Sequence, residues 1–294
     1  MPPTLTVATP DGRSLDIWLA GPEEGRPLFF HYGTPSSGRP YDGHAAAAAA
    51  RGIRLVSYAR PGYAGSTRHA GRRVVDAVAD TRAILDHLGI DRAHVAGWSG
   101  GGPHALAHAA LLPDRVLGTA ILAGVAPWGA EGIDWFAGMG AENVTEFQAA
   151  LDGPEALLPV VEPGVAAMAD MQPEELVASL GDLVDEVDAG ALDDPMLADW
   201  LARVMREGMR TGVWGMFDDD IAFTMPWGFD PGIIRSPVHV WQGGHDRMVP
   251  FGHGRWLAAN CGGACPHLDP AQGHLSLVVD RFGDILDELL DPRS

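Results

Sequence analysis

The chain has 294 residues, 46% of them hydrophobic, which is enough for one large domain with a sizeable core, and it lacks the run of about 18 apolar residues that would predict a membrane span. Its 39 acidic and 20 basic residues leave a formal charge of −19, which argues against nucleic acid or an anionic membrane as the main partner. Every base is arginine, and without lysine there can be no Schiff-base lysine, pyridoxal phosphate anchor or lysine-bearing phosphate loop.

The first stretch, MPPTLTVATPDG, has neither the basic start nor the apolar centre of a signal peptide, so a cytoplasmic location is expected. TLTVAT and SLDIWLA flank the turn PDGR and predict a hairpin. PLFFHYG (27–33) and IRLVSYA (53–59) are compact apolar runs of the kind buried in parallel sheets, with the helix former HAAAAAARG between them. VVDAVADTRAILDHLG then places Val74, Val78, Ile84, Leu85 and Leu88 along one helical face. RAHVAGWS and VLGTAILAG predict two more strands, separated by the helix GPHALAHAALLPDR. A β-α-β-α-β order implies right-handed crossovers and a mostly parallel central sheet flanked by helices.

From residue 127 to 234 the pattern is helical. DPMLADWLARVM predicts a helix with Asp194 as N-cap, Pro195 in the first position and Leu197, Trp200, Leu201, Val204 and Met205 on one stripe. NVTE (143–146) and QPEEL (172–176) are two further helix starts. Alternation resumes with the strand PVHVWQGG, the helix FGHGRWLAAN, a short strand near CPHLD and the closing helix LSLVVDRFGDILDELL. The organisation predicted is an α/β core over residues 1–126 and 235–294, interrupted by a helical cap at 127–234. Cys261 and Cys265, in CGGAC, lack a second ligand pair for zinc and read as free thiols.

The stretch VAGWSGGGPHAL surrounds Ser99 with glycines between a predicted strand and a predicted helix. So tight a turn holds its central residue at positive φ, which costs a non-glycine residue on the order of 1–2 kcal/mol. Gly97 and Gly101 leave room where strand and helix nearly collide, and Gly100 leaves its N–H open. The hydroxyl then projects over a helix N-terminus, where developing negative charge is stabilised. GWSGG resembles the nucleophile elbow G-x-S-x-G of the α/β-hydrolase family.

That resemblance implies the rest of a constellation. His274, in the glycine-bearing loop DPAQGHLSLV, stands where family members carry their catalytic histidine. Asp246, directly after PVHVWQGG, stands where the orienting acid should be, and the order Ser99, Asp246, His274 is that of the family. His245 is the nearest competitor as base, but it cannot easily fold back onto its neighbour's carboxylate. FFHYGTPSSG is similar to the family's H-G-x-P segment with Tyr32 interposed; on that match the oxyanion hole is formed by the amides of Thr34 and Gly100. YARPGYAGST is similar to an Arg-Gly-x-G-x-S loop in which Arg60 is structural, and the run Asp218–Asp220 reads as a solvated or helix-capping cluster.

The chemistry implied is ester hydrolysis through an acyl-enzyme, with a small-molecule ester or amide as partner and neither cofactor nor metal. The cap would lie over the site as a lid. It holds most of the methionines (Met139, Met168, Met171, Met196, Met205, Met209, Met216, Met225) and Trp128, Trp135, Trp200, Trp214 and Trp227. Most of these serve packing, yet such a surface can also offer an adaptable apolar pocket. The cap is also acidic, with only Arg203, Arg206 and Arg210 as bases. Proline iminopeptidases resemble this design and hold a free amino group with lid carboxylates. An aminopeptidase with Glu142, Glu146 or Asp218–Asp220 facing the pocket is therefore the alternative. A non-hydrolytic lyase or a binding protein on the same fold is a third reading.

Overall fold

The apolar runs pair into one eight-stranded sheet in the computed structural model, which describes residues 3–168 and 171–291. The strands are β1 (Leu5–Ala8), β2 (Ser14–Ala20), β3 (Arg26–His31), β4 (Ile53–Tyr58), β5 (Ala93–Trp98), β6 (Val116–Leu122), β7 (Val238–Gly243) and β8 (Ala264–Asp269). Their spatial order is β1-β2-β4-β3-β5-β6-β7-β8. β1 and β2 form the antiparallel hairpin, β2 joins β4 antiparallel, and every later pairing is parallel. This is the α/β-hydrolase fold.

Strand pleat divides the core. Phe29, Val56 and Val95 point to one face, where α2 (Ala77–His87), α3 (Gly102–Leu111) and α10 (Phe251–Asn260) bury Val78, Ile84, Leu106 and Leu257. Leu28, Phe30, Leu55 and Ala96 point to the other, against α1 (Asp42–Ala50), α11 (Leu275–Asp280) and α12 (Phe282–Leu290). The closing segment read as one helix is two, broken at Arg281, whose φ of −102° and ψ of 0° leave the helical range.

Between β6 and β7 the described residues hold no strand but six α-helices: α4 (Ala141–Asp152), α5 (Pro154–Met168), α6 (Pro173–Ser179), α7 (Glu186–Leu192), α8 (Pro195–Met209) and α9 (Trp214–Thr224). α8 starts as its sequence predicts, with the Asp194 carboxylate accepting from the Met196 amide at 2.9 Å. α4 starts two residues before NVTE, because the Val144 amide already bonds the Gly140 carbonyl at 3.1 Å. A third cluster joins this segment to the sheet, packing Leu157, Val161, Met209 and Phe217 with Trp18 and Tyr63. No described helix is long and apolar enough to cross a membrane.

Candidate active site

Ser99 stands where β5 ends and a 3-10 turn, Ser99–Gly101, leads into α3. Its φ is +56°. The flanking glycines have steric causes: a Cβ at Gly97 would lie 2.3 Å from the Gly101 carbonyl oxygen, and one at Gly101 would lie 2.0 Å from that of His31. A side chain at either position would push strand, helix and neighbouring strand apart. Ser99 is only half-buried, so it is open to the cavity that it lines.

His274 and Asp246 meet at 2.8 Å, from Nδ1 to Oδ2, and both are buried. Asp246 is held on every side: Gln242 Nε2 donates to Oδ2 at 2.9 Å, and the amides of Met248 and Val249 donate to Oδ1 at 2.9 and 2.7 Å. Burial pushes this carboxyl up, while His274 and the Val249 amide pull it back. Burial by itself would lower the imidazole. The facing Asp246 carboxylate, by charge and hydrogen bond, outweighs it and holds His274 above its ordinary value, with Asp188 adding in the same sense. Among the hydrogen bonds of the described residues, none joins Ser99 Oγ to His274, but both side chains line one small cavity of about 60 Å³. Such contacts are often loose without substrate. His245 turns away, its Nδ1 lying 2.5 Å from Asp185 Oδ2 at the start of α7.

Thr34 and Gly100 lie side by side: a Cβ on Gly100 would come within 2.4 Å of Thr34 Oγ1. Arg60 holds the loop that presents Thr34. Its guanidinium is buried and donates to the Gly33 carbonyl at 2.9 Å, to Thr34 Oγ1 at 2.7 Å and to Asp219 Oδ2 at 2.7 Å. Thr34 Oγ1 in turn donates to Asp219 at 2.8 Å, and Arg72 and Tyr63 also bond that carboxylate.

The expectation of a solvated acidic run at Asp218–Asp220 is therefore overturned. All three are buried, at 2%, 0% and 1% exposure, within α9. Burial opposes charge at Asp219, but Arg60 and Arg72 outweigh it and hold the carboxyl well below the usual range. The apolar neighbours in WGMFDDDIAF were the available signal that these acids are enclosed. Asp220 differs: burial and the charges of Glu146 and Asp219 raise it, burial raises Glu146, and Asp220 Oδ2 has no hydrogen-bond partner among the described residues. The charge of Glu146 therefore disfavours ionisation of Asp220 beside it.

A larger cavity of about 540 Å³ adjoins the first, and Thr34, Ser99, Leu176, Leu180, Met205 and Met248 line both. Phe147, Met168, Met171, Met216 and Phe223 supply apolar wall, and Glu142, Glu146 and Asp220 supply acid. Of the tryptophans between β6 and β7, Trp200 reaches the small cavity, whereas Trp135 and Trp227 are buried in the core. The described residues offer one group with metal-ligand spacing, His239, His267 and Glu288 at β7, β8 and α12, and none of the three lines either cavity.

Sheet order, strained turn and the Asp246–His274 pair together define a class, the α/β-hydrolase fold, and the proteins that this chain is similar to share it. A family model described as alpha/beta hydrolase fold matches residues 26–158. The chain is 25% identical over 258 residues to a bifunctional esterase/perhydrolase from Acinetobacter calcoaceticus, covering 83% of each. It is 26% identical over 256 residues to a 2-hydroxy-6-oxo-6-phenylhexa-2,4-dienoate hydrolase from Burkholderia cepacia, covering 84% of this chain and 80% of that one. The solved structure of a hydrolase from Pseudomonas aeruginosa PA01 superposes with a TM-score of 0.70 over 98% of both chains at 21% identity, a likeness of fold.

Proposed function

We propose that the chain is a serine hydrolase that cleaves carboxylic esters through Ser99, His274 and Asp246, with residues 127–234 serving as a cap over the α/β core formed by 1–126 and 235–294. The observation that carries this reading is a serine held at φ +56° in one cavity with a buried imidazole that is bonded to a carboxylate on its far side. Asp246 fixes the proton on Nδ1, which leaves Nε2 to take the proton of Ser99 as Oγ attacks the ester carbonyl. The amides of Thr34 and Gly100 receive the oxyanion; no group among the described residues engages either N–H. The imidazolium then protonates the departing alcohol. Water, deprotonated by the same nitrogen, releases the acid and regenerates Ser99. The apolar walls suit an ester, and relatives matched over most of their length are named an esterase/perhydrolase and a hydrolase.

Glu146 and Asp220 favour a second reading, cleavage of an amide or ester that bears a free amino group, because both carboxyls line the larger cavity and neither forms a salt bridge among the described residues. One set of assays separates these readings. A fluorophosphonate should label the parent and not Ser99→Ala. A small neutral ester should turn over, and a proline naphthylamide should not. Turnover of the amide alone selects the second reading, and an unlabelled parent rejects both.

A further inference from the structure

Asp188 comes from α7, in the helical segment, yet it is spent entirely on the loop that carries His274. The residue is 0% exposed. Its Oδ2 accepts the His274 amide at 2.7 Å, and its Oδ1 accepts the Leu275 and Ser276 amides, each at 2.9 Å. The fit leaves no slack: a Cβ on Gly273 would lie 2.3 Å from Oδ1, so position 273 must stay bare for the carboxylate to enter. Gly273 is tied in turn by its amide to Ser276 Oγ at 2.7 Å. The start of α7 grips the other loop of the pair, where Asp185 meets His245, the residue next to Asp246.

We propose that Asp188 is a positioning residue for His274, through which the segment between β6 and β7 sets the aim of the imidazole. This rests on the hydrolytic reading of Ser99, His274 and Asp246. Three charge-assisted amide bonds fix the backbone on both sides of the His274 side chain, which leaves the ring little freedom except to face Asp246 on one side and the Ser99 cavity on the other. The charged groups that act on the ring are Asp246, from the loop after β7, and Asp188, from α7. A helix shift in the segment would therefore move the base, not only the wall of the pocket.

The test is Asp188→Asn, which keeps the volume, removes the charge and turns an amide donor toward the backbone N–H groups. In histidine-labelled protein, the His274 imidazole pKa read by NMR should fall by roughly half a unit or more, since a carboxylate near it is lost. Ester kcat should fall about tenfold or more with KM within about threefold, the split expected when aim and not binding is lost. Glu186→Gln, an exposed change on the same helix, should alter neither. With an active parent both changes are required: a fall in kcat with an unmoved pKa marks a merely structural residue and overturns the proposal, as does a shifted pKa with full activity. Should Asp188→Asn not fold, the unsubstituted protein decides. Its His274, Leu275 and Ser276 amides should exchange as slowly as those of β7, and exchange at the rate of an open loop overturns the inference. A parent that neither labels nor turns over ester removes the hydrolytic reading alone, because imidazole pKa and amide exchange still report whether Asp188 holds His274.

Discussion

On the proposed hydrolytic reading His274 acts as a base while almost out of water and under the charge of two carboxylates. Burial pulls its pKa down and Asp246 pulls it up more strongly, so the ring holds a proton above the ordinary value of 6.5. The base must be neutral to accept the Ser99 proton. It follows that kcat/KM should rise with pH through an apparent pKa above about 6.5, the activity being lost below it and retained above. Asp246→Asn removes the charge that raises the ring and the acceptor that fixes its tautomer. The limb should move to lower pH and kcat should drop roughly a thousandfold or more. A pH–rate profile of each protein on one ester checks this; a limb below 6 in the parent would mean that Asp246 does not govern His274.

α9 shows how one element can serve several roles with consecutive residues of a single type. Successive side chains on a helix point about 100° apart, so three aspartates in a row cannot share a face. Asp218 reaches Arg68 at 2.8 Å, Asp219 closes the buried cluster with Arg60 and Arg72, and Asp220 looks into the cavity. Their settings should rank their substitutions. Asp219→Ala strands two buried guanidinium groups and should cost about 3–5 kcal/mol in denaturant unfolding. Asp218→Asn, whose partner Arg68 is 32% exposed, should cost about 1 kcal/mol or less. Equal losses would show that the Asp219 cluster is no better enclosed than its neighbour. The same helix marks the limit of what the chain discloses one residue at a time. The turn at Ser99 is legible because its cause is local: glycines stand where a Cβ would meet a backbone within a few residues or on the adjacent strand. Strands and most helix starts are legible for the same reason, as caps and pleats are short-range. Asp219 pairs with residues 147 and 159 positions away, and Asp188 with amides 86 to 88 away, so their partners depend on how the helices pack and leave no mark on any spacing, even where apolar neighbours hint at burial.

Over the whole molecule, a charge of −19 means that self-repulsion grows as pH rises, in the folded and the unfolded chain alike. The Glu146 and Asp220 pair adds a contribution that belongs to the folded chain alone. Burial raises both carboxyls, and at Asp220 the charges of Glu146 and Asp219 add to it, so the native chain binds a proton there more tightly than the unfolded chain does. Between the ordinary carboxylate range and the raised native value, the native state holds the extra proton. Stability from this source is thus complete at low pH and lost as pH climbs through the native value. Glu146→Gln takes away one titrating carboxyl while keeping a hydrogen-bonding side chain. From about pH 5.5 to about pH 8, its Tm should fall about 2–4 °C less than that of the parent, the change expected of roughly 1 kcal/mol in a chain of this size. Parallel thermal melts read this directly. Identical slopes would mean that the two carboxyls are not raised together in the native chain, and the reading that they hold an amino group would lose its support.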